Sequence, residues 1–201
     1  AAIDTEPFQL DTLSDTQARM SKTMHLVNYS GYEFKAKVDR KVTIFNSLEI
    51  EKNLNITKKG TLFVGYQSEN ILTNLGQTSW KKQTGLLSIW ILGMFKPSDD
   101  TWVIIPYKNI LKLNTSYFGD VPAEKLKITD HVVLFKGDGK SRSKIGLPPN
   151  NALPLLGRYD AANKVLTIVE FSLSDDRDYV NSLWEIQKAP YKGDVINSYN
   201  D

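Results

Sequence analysis

The 201 residues are 41% hydrophobic and 10% aromatic, enough for a sizeable core, and 25 basic against 23 acidic residues leave a formal charge of only +2. That balance excludes a disordered polyelectrolyte and gives no basic stripe of the kind nucleic-acid binders carry. The absence of cysteine removes disulfides, thiolate metal sites and cysteine nucleophiles together.

No apolar run reaches the ~20 residues of a membrane-spanning helix. The longest, residues 86–95, is broken by Ser88 and Gly93. The start, from Ala1 to Pro7, has neither a basic n-region nor an apolar h-region. Short basic spots at Lys58-Lys59, at Lys81-Lys82 and between Lys136 and Lys144 read as solvated turns.

In chain order, residues 20–29 alternate as a half-buried strand, and Asn28 to Gly31 supply a turn. Residues 32–44 place large apolar side chains at 32, 34, 38, 42 and 44, a second strand with faces of different polarity. Residues 47–54 form the best helix candidate, with Ser47 as cap and Glu49 and Glu51 in its first turns. Residues 61–66 and 71–75 read as strand segments around a polar interruption. The nearly continuous apolar run 85–95 predicts a strand buried on both faces. It turns at Lys96-Pro97-Ser98-Asp99-Asp100 and pairs with 101–107. A helical turn at 123–126 and strands at 131–136, 142–147, 155–159, 165–172 and 179–186 follow, separated by Gly, Pro, Asn and Asp clusters. Many short strands at near-regular spacing predict an antiparallel β-sandwich, one domain over residues 1–201. The final stretch, 193–201, reads as an interior strand entering a polar loop, so the chain is expected to be part of a longer domain.

The two histidines, His25 and His131, stand in strand patterns without ligand spacing around them, so no metal site is expected. Gly137-Asp138-Gly139-Lys140-Ser141 lacks the spacer of a phosphate loop and reads as a hairpin turn. Gly60, Gly65 and Gly76 form no dinucleotide fingerprint, and no cofactor is expected.

Three segments concentrate polar and aromatic residues: 69–76 continuing through Trp80 to Trp90, then 142–146, then 184–187 with 197–201. Sugar sites need flat aromatic faces for pyranose rings, with amide and charged groups for the hydroxyls. Arg142 and Lys144 fall on one face of a strand, aimed into a cleft or onto a solvated sheet face. Trp90 and Trp184 fit a core as well as a sugar platform.

The runs 66–76, 85–95, 142–147, 179–185 and 193–201 resemble an uncharacterised bacterial family that is similar to the aldose 1-epimerase (galactose mutarotase-like) superfamily. The resemblance spans residues 7–201. It implies an antiparallel β-supersandwich with a concave sugar-binding face, a histidine general acid and a late glutamate general base. Neither His25 nor His131 falls in a matching histidine segment, Trp90 stands where a site histidine is expected, and the late glutamate segment would follow Asp201.

The expected function is therefore carbohydrate binding or processing, with Glu185 and Lys144 as catalytic groups. Glu185 would act as acid or base once desolvation raised its pKa. Trp90, Arg142, Trp184, Asn197, Asn200 and Asn74 would bind substrate. The partner would be a sugar or glycan, with no nucleic acid and no membrane span, and the family's glycan role implies export to the periplasm. The alternative is a non-catalytic structural or interaction domain, in which both tryptophans are fully buried and no cleft gathers the polar segments.

Overall fold

The computed structural model describes residues 2–57, 60–174, 177–181 and 188–201. It divides into two compact units, Ala1–Ile91 and Leu92–Asp201. The chain is mostly β, and every strand pair among the described residues is antiparallel. No helix among the described residues is long and apolar enough to cross a membrane.

The first unit begins with a short helix, α1 (Ala2–Thr5), and is built on a four-stranded sheet in the order β1 (Gln9–Leu13), β2 (Gln17–Val27), β3 (Glu33–Phe45), β4 (Gly65–Asn74). The β2–β3 ladder runs without a break from Gln17 opposite Thr43 to Val27 opposite Glu33. The expected turn closes it: Asn28 Oδ1 accepts from Tyr32 N at 2.9 Å, and Gly31 takes φ 79°, open to glycine without a Cβ penalty. Alternation then puts Met24, Phe34 and Ala36 on one buried face, where the Phe34 ring meets Trp80 edge-on at 5.7 Å.

The expected helix is α2 (Ser47–Leu54), but its cap is Asn46 and not Ser47. Asn46 Oδ1 accepts from Glu49 N at 3.0 Å while Glu49 Oε2 accepts from Asn46 N at 2.8 Å, a reciprocal capping box. The segments expected at 61–66 and 71–75 meet in one strand, β4, whose polar middle bonds to β3 without a break, but residues 61–64 of the first carry no regular structure.

The run 85–95 is not a strand. It carries no regular structure, and Trp90, Ile91 and Leu92 are about half exposed, with Met94 at 85%. Hydrophobicity reads a strand only where another strand supplies hydrogen bonds, and no described strand does so here. Residues 101–107 accordingly pair elsewhere.

The second unit contains a five-stranded sheet in the order β10-β9-β5-β7-β6: β5 (Thr101–Pro106), β6 (Leu126–Ile128), β7 (Val132–Lys136), β9 (Leu155–Asp160) and β10 (Val165–Glu170). A single 3-10 turn, Ala123–Lys125, precedes β6. A separate two-stranded ladder pairs β8 (Ser143–Leu147) with β11 (Ile196–Asn200). Ile105, Val133 and Phe135 from the sheet pack with Ile145, Leu147 and Ile196 from the ladder in one core, sheet on sheet. Each such side chain contributes about 1.5–3 kcal/mol on burial. The Gly137-Asp138-Gly139 turn is not a hairpin: it links β7 in one sheet to β8 in the other. Of the strand expected at 179–186, residues 182–186 lie outside the described residues, and Tyr179 makes one isolated bridge to Lys192.

Candidate functional site

All five residues of β8 are buried, for different reasons on its two faces. Ser143, Ile145 and Leu147 point one way, the latter two into the core. Lys144 and Gly146 point the other way, opposite Tyr199 and Asn197 of β11. On its far edge β8 is closed by residue 114, with Asn114 N bonded to Gly146 O at 2.9 Å and Gly146 N to Asn114 O at 2.8 Å. The chain leaving that bridge lays Tyr117 and Phe118 over the Lys144 face.

Lys144 is 1% exposed, so it is no part of a solvated turn. Its Nζ lies 3.8 Å from the Tyr117 ring centroid and 4.8 Å from that of Tyr199, the distances of cation–π contacts. Burial pushes its pKa down from 10.5 to about 8, and the nearby Asp194 carboxylate opposes that shift. Asp194 Oδ2 accepts from Asn114 Nδ2 at 2.9 Å and from the Tyr117 hydroxyl. Gly146 makes this possible. A Cβ there would lie 2.6 Å from both Asp194 Cγ and Tyr117 Oη, nearer than real Cβ contacts come.

Arg142 lies on the same face as Lys144, but it is a rim residue. Its side chain is 62% exposed, with Cζ 4.5 Å from the Phe118 centroid and Nε 3.8 Å from Asp201 Oδ2. Phe118 in turn lies 6.3 Å from the Tyr199 ring. Asn197, half-buried on the same face, donates from Nδ2 to Asp194 O at 2.9 Å.

The structure places Asn200 on the other face of β11, away from Lys144. Its Oδ1 accepts from Gly139 N at 2.6 Å and its Nδ2 donates to Asp138 Oδ1 at 3.0 Å. Burial works to raise the Asp138 pKa, but hydrogen bonds from Asn200, the Lys140 amide and Lys125 hold it at about 2. Asn200 thus anchors the corner between the two sheets. Asn74 and Trp90 belong to the Ala1–Ile91 unit. Asn74 closes the turn after β4, accepting from Gly76 N and donating to Thr78 O, both at 2.8 Å. Trp90 is 50% exposed, which removes the expectation that it is core. Trp184 and Glu185 lie outside the described residues. His25 is exposed on β2 beside Glu33 Oε2 at 3.2 Å, and His131 is exposed just before β7.

Among the described residues no group of three or more His, Cys, Asp or Glu side chains could hold a metal ion. A depression of about 600 Å³ lies elsewhere on the second unit, beside Lys108, Ile110, Lys112 and Asn151. The Asn151 amide there is spent on the carbonyls of Lys108 and Ile110, both at 2.9 Å, so it shapes a loop. The Lys144 cluster is the better candidate: a cation of depressed pKa, a carboxylate oriented by two donors, and aromatic faces at its rim.

Sequence reasoning found Lys144, Arg142 and Asn197 but missed Asp194, Tyr117, Phe118 and Tyr199. Asp194 and Tyr199 lie inside the run 193–201, where Tyr199 follows Asn197 at strand spacing. The Tyr117-Phe118 pair in a polar loop was a visible signal too.

No curated protein and no solved structure matches this sequence. One family model matches the whole of residues 1–201, and the chain belongs to that family, a family of unknown function designated DUF6786.

Proposed function

We propose that the protein binds a carbohydrate at the Lys144 face of the β8–β11 ladder and acts on it there. The observation that carries this reading is the Lys144 ammonium held between the Tyr117 and Tyr199 rings beside Asp194. Half-buried Tyr199 and Phe118 offer ring faces to the apolar side of a pyranose. Arg142, Asn197 and Asp194 offer donors and acceptors to its hydroxyls.

A lysine with a pKa near 8 is a far better proton donor at neutral pH than an ordinary one. In an interconversion of anomers, Lys144 gives its proton to the ring oxygen as Asp194 takes the anomeric hydroxyl proton. The C1–O bond breaks to the open aldehyde, and reclosure on the other face returns both protons. With Lys144 1% exposed, contact at its ammonium requires Tyr117 or Tyr199 to turn aside. The supersandwich fold class and export from the cytoplasm belong to the same proposal.

The second reading, a non-catalytic interaction domain, is favoured by the depth of Lys144 and by the spent amide of Asn200. Calorimetric titration of a monosaccharide panel, with polarimetry of anomer equilibration, separates the two. The sugar reading expects a binding heat that D194N and K144M abolish. Heat and rate that are absent from the wild type, or unaltered in both variants, overturn it.

A further inference from the structure

Strand β10 ends the five-stranded sheet, and its outer backbone edge bonds to no strand among the described residues. An open edge is a template for another strand, and folded proteins ordinarily blunt it. Three other sheet edges carry such devices. β1 has a register shift between Leu10 and Thr12. β6 is three residues long with Lys127 at its centre. β4 carries Glu69, ion-paired to Lys41, and Asn70.

β10 has no register shift, is six residues long and carries its one charge, Glu170, at its end. Its sequence, Val-Leu-Thr-Ile-Val-Glu, contains no proline, glycine or lysine, and its register with β9 is regular from Val165 to Glu170. Apolar side chains are exposed on both of its faces: Leu166 at 58% and Ile168 at 41% on one, Val165 at 46% and Val169 at 37% on the other.

We propose that β10 pairs antiparallel with β10 of a second copy of this chain, joining two five-stranded sheets across a two-fold axis at Thr167. Self-complementarity selects this occupant. About that axis Leu166 faces Ile168 of the partner, and Val165 faces Val169, so the exposed apolar side chains on each face meet. The ladder ends with exposed Lys164 beside Glu170 of the partner, opposite charges at both ends. A two-fold pairing closes on itself, and no open edge is left to propagate. This dimer is independent of the sugar reading.

The test uses charge reversal on the outward face, where Leu166 and Ile168 stand opposite Tyr159 and Gly157 of β9 and a polar end can reach water. L166K/I168K sets two lysine pairs against each other across the axis, and L166E/I168E does the same with carboxylates. Sedimentation equilibrium is expected to show a wild-type dimer, each double variant weakened by about tenfold or more in dissociation constant, and dimer restored in their equimolar mixture. Far-UV circular dichroism verifies that each variant is folded, and the single L166K and I168E variants replace a double variant that is not. A wild type that stays monomeric at all concentrations overturns the proposal, as do variants that dimerise unchanged or a mixture that stays monomeric.

Discussion

Replacing Lys144 by methionine separates what this side chain costs the fold from what it does. Methionine is one atom shorter, unbranched and uncharged, and packs its thioether against Tyr117 and Tyr199. Asp194 keeps its bonds from Asn114 and Tyr117. The folded pKa of Lys144 is about 8 against 10.5 for an ordinary lysine. At about 1.36 kcal/mol per pH unit that difference is worth roughly 3 kcal/mol, which water reaching past the half-buried Tyr117 and Tyr199 reduces to about 2 kcal/mol. Between pH 8 and 10.5 the unfolded chain keeps the proton that the folded chain has lost. Unfolding therefore binds a proton in that window, and stability rises with pH. Below pH 8 both states are protonated and the full penalty applies. K144M is expected to be more stable than wild type by about 2 kcal/mol at pH 7, with the gap closing by pH 10.5. Urea unfolding of both proteins across this range measures the difference, in which titrating groups remote from Lys144 cancel. Parallel stability curves, or a K144M protein less stable than wild type at pH 7, would refute the argument.

N200A removes the acceptor for Gly139 N and a donor to the buried Asp138 carboxylate, and is expected to cost about 1–3 kcal/mol in chemical denaturation. G146A drives a methyl group into Asp194 and Tyr117. It should destabilise the protein by about 1–3 kcal/mol and, by displacing the carboxylate that opposes the effect of burial, lower the Lys144 pKa further, as read by NMR titration of the lysine ε-methylenes. Asp138 and Asp160 are both held at about 2, the latter by hydrogen bonds from Asn163, Ser98 and Arg158. Carboxylates with depressed pKa stabilise the fold above their ordinary value of 3.8 and stop doing so as pH falls through about 2. Melting temperature should therefore fall steeply over that interval, and D138N should make the fall shallower. A wild-type melting temperature that is flat across it contradicts the hydrogen-bond account.

Local pattern reveals as much of this fold as local forces decide. Residues 20–44 show two strands and their turn in sequence because alternation, Asn28 and Gly31 act within a few positions of one another. Helix α2 is legible for the same reason, although Asn46 outcompetes its neighbour Ser47 as cap by sharing a reciprocal bond with Glu49. The run 85–95 is misread because apolar composition reports a wish for burial and says nothing of a hydrogen-bonding partner. The site divides in the same way. Segments 142–146 and 197–201 both stand out by composition, and they are in fact paired strands. Their register, which sends Lys144 to one face and Asn200 to the other, is settled by contacts across more than 50 residues of chain. Asp194 and Tyr117 meet only because Gly146 leaves room between them, and a gap made by a missing side chain has no periodicity to read.

A strand buried at every position is expected to be apolar throughout, since each polar group within it must find a partner or bear a desolvation penalty. β8 meets that expectation on its core side with Ile145 and Leu147, and departs from it on the other with a lysine and a glycine. Either residue alone would be a local cost. Together they are coupled, because the glycine admits the carboxylate that partly offsets the burial of the lysine. Elsewhere in the ladder the buried polar residues are short serines and Asn200, whose amide is fully bonded, so a lysine and a glycine at two neighbouring same-face positions are the break that points to a use. The methionine variant tests this directly. If the Lys144 face serves only to seat Tyr117 and Tyr199, K144M gains stability and loses nothing. If it serves the sugar, the same change gains stability and abolishes binding, and the penalty of about 2 kcal/mol is the part of the fold's stability that the site consumes.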